Sequence, residues 1–231
     1  MKALVFCDDY WHPARIAREG LGALTGTEFT FDWIEKTRDW SPETMLNYPV
    51  VILTKSNNVS SIDQTGWMTD RVQAAFLEYV HNGHGLLAIH SGTAEYDQIP
   101  VLRRLLGGVF HHHPEQCPVT VTPHAGHPLS AGSAPFTLKD EQYFMTMDDP
   151  EVDVFVTTTS EHGEQPGAWR HVEGNGRVAV LTPGHNLEVW LHPSFQALLI
   201  NSLRWCGKLP ENKVNMTGNV SDAGLPSKSN R

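Results

Sequence analysis

Gly85-Leu86-Leu87-Ala88-Ile89-His90-Ser91-Gly92 runs an unbroken apolar segment straight into a His-Ser-Gly turn. Four consecutive apolar residues, Leu86 to Ile89, need burial on both faces, which marks a strand inside a parallel sheet. The glycine lets the chain reverse so that the last strand residue stands at the sheet edge. The turn therefore presents an imidazole, His90, where an active-site nucleophile often sits.

Working outward, helical spacing of Met68, Val72, Phe76, Tyr79 and Val80 predicts a helix over 68–81, with Gly83 placed as its C-terminal cap. A second helix is expected over 100–106, closed by Gly107-Gly108. Upstream, Ala3–Cys7, Phe29–Ile34 and Val50–Thr54 read as strands and Pro13–Leu24 as a helix. Strand and helix in alternation imply parallel pairing. After Phe110 short strands follow, at Val119–Thr122, Phe136–Leu138, Val152–Thr159, Ala168–Val172 and Arg177–Leu181, then a helix over Pro193–Trp205 closed by Gly207. The expected fold class is α/β: a single-domain, three-layer open sheet, mostly parallel and flavodoxin-like, with added antiparallel strands. The domain is expected over residues 1–208, and 209–231 reads as a polar, flexible tail with too few apolar residues to offset ordering entropy.

Composition narrows the function classes. Lys+Arg 17 against Asp+Glu 26 gives a formal charge of -9. With no basic run, neither a nucleic-acid nor a membrane partner is expected. The start, Met1 to Asp9, carries acids too early for a signal-peptide core, and no apolar run approaches the ~20 residues that span a bilayer, so the expected compartment is the cytoplasm. Cys7, Cys117 and Cys206 form no CxxC pair and read as packed thiols. The 13 histidines are a surplus that can mark metal or acid–base chemistry. Trp33, Trp40 and Trp67 suit either a homodimer contact or core packing.

In an open sheet, ligands bind beyond the carboxyl ends of the strands. Asp8-Asp9-Tyr10-Trp11-His12 follows the first strand, Lys55-Ser56-Asn57-Asn58 the third, His90-Ser91-Gly92 the fourth, and Thr182-Pro183-Gly184-His185-Asn186 the late one. These would line one polar cleft with an aromatic platform, which suits a small-molecule carbohydrate. No GxGxxG or GxxxxGK[ST] loop follows the first strand, so no nucleotide cofactor is expected. Asp9, Trp11, His12, Asn57, Ser91 and Tyr143 are the expected substrate contacts.

The His90 turn resembles the nucleophile elbow of class I glutamine amidotransferases, in which a Leu-Gly-Ile strand is followed by Cys, any residue and Gly. Here Leu87-Ala88-Ile89 is followed by His90-Ser91-Gly92, so glutamine hydrolysis through a thiolate is excluded at that site. Further motifs are Trp11-His12-Pro13, Leu106-Gly-Gly-Val-Phe-His-His-His-Pro114, Gly126-His127-Pro128-Leu129, Asp140-Glu141-Gln-Tyr143, Gly174-Asn-Gly-Arg-Val178, and Gly184-His185 followed by Trp190, Pro193 and Phe195. Together they resemble the ThuA-like (trehalose utilisation) family, which shares the amidotransferase-like fold. The resemblance covers roughly residues 1–208. It implies metabolism of trehalose and related disaccharides, often beside sugar dehydrogenases that make 3-keto sugars, and it puts His185 near the position of the catalytic base.

Two mechanisms are open. In one, two or three of His90, His113, Glu141 and His185 bind a divalent metal, zinc first, which acidifies a water or polarises a keto oxygen. In the other, no metal is present, and His90, His185 and Glu141 supply the acid–base pair that removes a proton beside the carbonyl of a 3-keto glycoside. Asp140 is the alternative to Glu141, and His111 and His112 are alternatives to His113. His127, before Pro128, reads as turn punctuation. The non-enzymatic alternative is a sugar-binding or regulatory module.

Overall fold

The computed structural model describes residues 1–24 and 26–210; the expected polar tail lies, from residue 211 onward, outside the described residues. In chain order the elements are β1 (Lys2–Phe6), α1 (Ala14–Gly22), β2 (Thr30–Ile34), β3 (Val50–Leu53), α2 (Asp70–His81), β4 (Gly85–Ile89) and α3 (Pro100–Leu106). They continue as β5 (Gly108–His112), β6 (Cys117–Pro123), β7 (Phe136–Asp140), β8 (Phe144–Met147), β9 (Asp153–Ser160), β10 (Gly163–Glu173), β11 (Gly176–Leu181), α4 (Leu187–Leu191) and α5 (Pro193–Cys206).

Nine strands form one sheet in the order β2-β1-β3-β4-β11-β10-β9-β6-β7. The first five pair in parallel, and the rest extend the sheet antiparallel. From β1 the chain passes to β2 on one side and returns to β3 on the other. That reversal opens a crevice above the carboxyl ends of β1 and β3.

The alternation along β4 shows why the apolar run is central. Leu87 and Ile89 enter one core with Ala17 and Leu21 of α1, Trp190 of α4 and Leu199 of α5. Leu86 and Ala88 enter the other with Phe76 of α2 and Leu102 of α3. Both faces are covered, and full burial of each large aliphatic side chain stabilises by about 1.5–3 kcal/mol over leaving it in water. α2 begins at Asp70 rather than Met68 because Thr69 caps it, its Oγ1 accepting from Val72 N at 3.4 Å.

Three elements differ from expectation. β5 and β8 form a separate two-stranded antiparallel sheet, so His111 and His112 end a strand and His113 follows it, rather than the run standing as a bare polar tract. α4 is a short added helix before α5. Trp67 is buried and stacks on Phe6 with centroids 5.2 Å apart, and Trp40 meets Phe6 edge-on at 4.9 Å. Core packing therefore accounts for these two rings. Trp33 is half-buried beneath the Arg18 guanidinium, 4.8 Å from its ring centroid.

Candidate functional site

The site grows from four strand ends. β4 passes into a single 3₁₀ turn, His90–Thr93, where His90 adopts φ +47 and is buried. A Cβ on Gly92 would lie 2.0 Å from the Leu53 carbonyl oxygen, so only glycine lets the turn pass so close to β3. His90 Nδ1 lies 2.8 Å from the Thr182 carbonyl. A carbonyl only accepts, so Nδ1 carries the proton and Nε2 is left with a lone pair facing the site. Burial, partly opposed by Glu141 and that carbonyl, pushes the His90 pKa down to about 4. The ring is neutral at pH 7.

His12 is oriented in the same manner by a carboxylate. Asp9 Oδ1 accepts from Trp11 N at 2.9 Å, His12 N at 2.8 Å and His12 Nδ1 at 2.8 Å, while Oδ2 accepts from Ser56 N at 2.8 Å. Burial alone would raise the Asp9 pKa, but the bonds from His12, Ser56 and Trp11 outweigh it and hold the carboxyl below its ordinary value. His12 Nε2 is thereby left free.

β7 ends in Asp140 and delivers Glu141. The buried Asp140 carboxylate gathers the loop after β11, accepting from Gly184 N at 2.8 Å, His185 N at 2.9 Å and Asn186 N at 3.2 Å. Asp140 is thus the pin that sets His185 against Glu141, and Glu141 is the carboxylate that enters the site. Glu141 Oε2 lies 3.0 Å from His185 Nδ1, 3.5 Å from His90 Nε2 and 3.6 Å from His113 Nε2. The His185 contact is close but out of line for a hydrogen bond. Burial pushes the Glu141 carboxyl up, yet the imidazoles of His185 and His90 more than reverse this and hold it well below its ordinary range. For His185, burial lowers the pKa and the Glu141 carboxylate raises it further, so the net shift is upward.

One ligand atom from each of His12, His90, Glu141 and His185 lies within 4.8 Å of the others. His12 Nε2, His90 Nε2 and His185 Nδ1 are buried with no hydrogen-bond partner. His12, His90 and His185 line a void of about 10 Å³ together with Thr54, Ser91, Gly184 and the apolar Ile16, Ala17 and Trp190, room for one water, and Glu141 stands outside its lining. Donors about 2 Å from a zinc ion stand ~3.3 Å apart in a tetrahedral site, so small side-chain rotations would suffice. The donor set, three neutral-capable imidazoles and one carboxylate, fits a borderline divalent ion.

The structure thus brings together His90, His185, Glu141 and His12, and leaves His113 at the rim, exposed. Among the expected metal ligands His12 takes the place of His113, which reaches Glu141 but not the convergence point. All the expected substrate contacts but Trp11 have other work or other places. The Asp9 carboxylate is wholly engaged by the turn and by His12. Asn57 Oδ1 accepts from Trp67 N at 3.1 Å and Met68 N at 3.0 Å, fixing the approach to α2. Ser91 is buried against the void, and His12 itself joins the tetrad. Trp11 remains exposed, whereas Tyr143 is buried and packs beneath His90, with centroids 4.0 Å apart at 26°, rather than facing a substrate. The signal for His12 was its spacing from Asp9, a carboxylate three residues ahead that can hold Nδ1.

Residues 2–206 match the family described as trehalose utilisation, ThuA. The chain belongs to the ThuA family. Among curated proteins none matches in sequence. Similar solved structures include a ThuA-like protein from Bacteroides uniformis ATCC 8492, 23% identical with TM-score 0.68, in which 89% of this chain aligns with 91% of that one. A cytoplasmic protein from Salmonella typhimurium is 17% identical with TM-score 0.65, covering 89% of this chain and 99% of the other. The β-galactosidase from Rahnella sp. R3 is 16% identical with TM-score 0.65, where 90% of this chain matches 31% of that enzyme. At these identities the likeness is one of fold. Among the described residues no helix is long and apolar enough to cross a membrane.

Proposed function

We propose that this ThuA-family chain is a cytoplasmic enzyme of carbohydrate metabolism that acts on a disaccharide or its 3-keto derivative, with a divalent ion, zinc first, held by His12, His90, His185 and Glu141. The observation that carries this reading is the convergence of three buried imidazole nitrogens lacking hydrogen-bond partners on one carboxylate. Buried polar atoms are nearly always satisfied, and a cation satisfies all of these at once. The family description supports a saccharide as substrate, and the name of the Salmonella relative supports the compartment.

When bound, the ion supplies Lewis acidity to a carbonyl or hydroxyl oxygen of the sugar. Thr182 and Asp9 hold His90 and His12 in the tautomer that presents Nε2. Glu141 adds the negative charge that favours a cation over a water. As ligands, His90 and His185 would have the lone pairs that face the site engaged, and Glu141 one of its oxygens, so we assign the acid–base role first expected of them to a group outside the tetrad. His113 is placed for it: exposed, with Nε2 3.6 Å from Glu141 Oε2, it can take a proton from the carbon beside a keto group at the mouth of the site. No nucleotide is part of this reading.

Elemental analysis of the untagged chain, alone and after dialysis against zinc, manganese or cobalt, tests the proposal. One ion per chain is expected, lost in His90→Ala and His12→Ala, together with chelator-sensitive turnover of 3-keto-trehalose that His113→Ala reduces by ~10²-fold. A wild-type chain that takes up none of these ions overturns the metal assignment. Saccharide binding without turnover would make the chain a sugar-binding module.

A further inference from the structure

Beside the tetrad, the loops after β1, β3 and β4 carry groups that the metal centre does not use. Tyr10 and Trp11 are 49% and 64% exposed and sit edge to face with centroids 4.7 Å apart. Among the described residues the other large exposed apolar side chains, Leu46, Ile62, Val172 and Leu191, are aliphatic and come from separate segments. On the facing loop Glu95 is exposed and stands in the left-handed region at φ +62. It is fixed there by buried neighbours: Ala94 on one side, and on the other Tyr96, whose hydroxyl donates to the Lys55 carbonyl at 2.9 Å. A left-handed backbone disfavours a glutamate and is free to glycine.

Asn58 ties the two loops together. It is buried, with Oδ1 accepting from Tyr10 N at 3.3 Å and Nδ2 donating to Ser56 Oγ at 2.7 Å and to Glu95 Oε2 at 3.4 Å. That last contact is long and uses one lone pair of the carboxylate, so most of its accepting capacity is left to solvent, one side chain removed from the Tyr10 backbone through Asn58. The rim adjoins the tetrad: Trp11 directly precedes His12, and Trp11 N and His12 Nδ1 donate to the same Asp9 Oδ1.

We propose that Tyr10, Trp11 and Glu95 form a sugar-ring subsite at the mouth of the tetrad, which takes the second ring of a disaccharide. A carboxylate accepts two vicinal hydroxyls in a bidentate, charge-assisted pair, and an exposed aromatic face covers the apolar C–H side of a pyranose. Glutamate at a left-handed position, in place of glycine, is then explained by the carboxylate it presents. This inference rests on the carbohydrate reading above and adds where the ring remote from the ion binds.

The test is calorimetric titration of the full chain with trehalose and with 3-keto-trehalose, for wild type, Glu95→Gln and Trp11→Ala, with elemental analysis of each. Expected is a ~10-fold weaker Kd for either saccharide in each variant, with ion content unchanged. An unchanged Kd in Glu95→Gln overturns the subsite while leaving the carbohydrate reading intact. If the wild type binds neither saccharide, the carbohydrate reading falls and the subsite with it. Ion loss in Glu95→Gln would place that carboxylate in the metal centre and also overturn the proposal.

Discussion

A histidine held at φ +47 with one ring nitrogen spent on a carbonyl is oriented from two directions at once. The left-handed backbone costs about 1 kcal/mol or more, and the surrounding turn must over-determine it. His12 has a different support, a buried carboxylate that meets both its backbone and its ring. The outer partner of a metal-bound imidazole fixes its tautomer and raises its basicity, and loss of such a partner commonly weakens metal binding by about 10–100-fold. Asp9→Asn should therefore weaken zinc affinity by about that factor while leaving the circular dichroism spectrum unchanged. Competition against a chromophoric chelator measures it, and an unaltered affinity would mean that ring packing alone sets His12. At this scale the sequence was informative where a titratable residue follows a strand, directly as with His90 or within the next loop as with His185. It was ambiguous where side-chain direction decides: nothing in His111-His112-His113 says which ring turns inward, and Asp9, expected as a sugar contact, supports His12 instead.

Elements transmit these positions. Glycine at position 92 permits the approach of the elbow to β3, since a Cβ there would meet the Leu53 carbonyl at 2.0 Å. Gly92→Ala forces the two strand ends apart and should destabilise the chain by about 3 kcal/mol, the upper end for overpacking. The contrasting site is Gly22, the last residue of α1, where a Cβ meets nothing within 4 Å. Gly22→Ala should be neutral or stabilise by about 0.5–1 kcal/mol through the unfolded chain. Urea denaturation of the two variants compares them directly, and equal midpoints would remove the steric argument. β4 and α2 were legible because burial on two faces leaves a continuous apolar run bounded by turn residues, and burial on one face of a helix leaves a 3.6-residue period. β5, β8 and α4 were not. β8 pairs only with β5, so Phe144-Met145-Thr146-Met147 shows neither strict alternation nor a continuous aliphatic run. α4 is five residues long, too short to show a period.

For the whole molecule, the order of strand-end motifs was enough to reach the family, because a parallel sheet gathers residues from positions 9 to 186 onto one edge whatever the spacing between them. The same gathering couples the site to global stability. His90 titrates near 6.5 in the unfolded chain and at about 4 in the folded one, so unfolding takes up a proton between those values. Stability therefore falls as pH drops through that window, by up to about 3 kcal/mol for the 2.5-unit difference between 6.5 and about 4. Glu141, lowered in the folded state, acts with the same sign: its contribution is present above its unfolded pKa and is lost as pH falls further. His185, raised in the folded state, acts oppositely, stabilising below its unfolded pKa and losing that contribution as pH rises through the folded value. For the chelator-treated chain, the denaturation midpoint should then fall between pH 6.5 and pH 4, and His90→Asn should flatten that slope, since asparagine tolerates the left-handed backbone and takes up no proton. Adding zinc to the wild type should raise the midpoint with the logarithm of ion concentration and steepen its acid side, because protonated imidazoles do not bind. Urea titrations at pH 7.5, 5.5 and 4.5, with and without zinc, separate these effects. A pH slope that survives His90→Asn would assign the acid sensitivity to the carboxylates elsewhere in the chain rather than to the elbow.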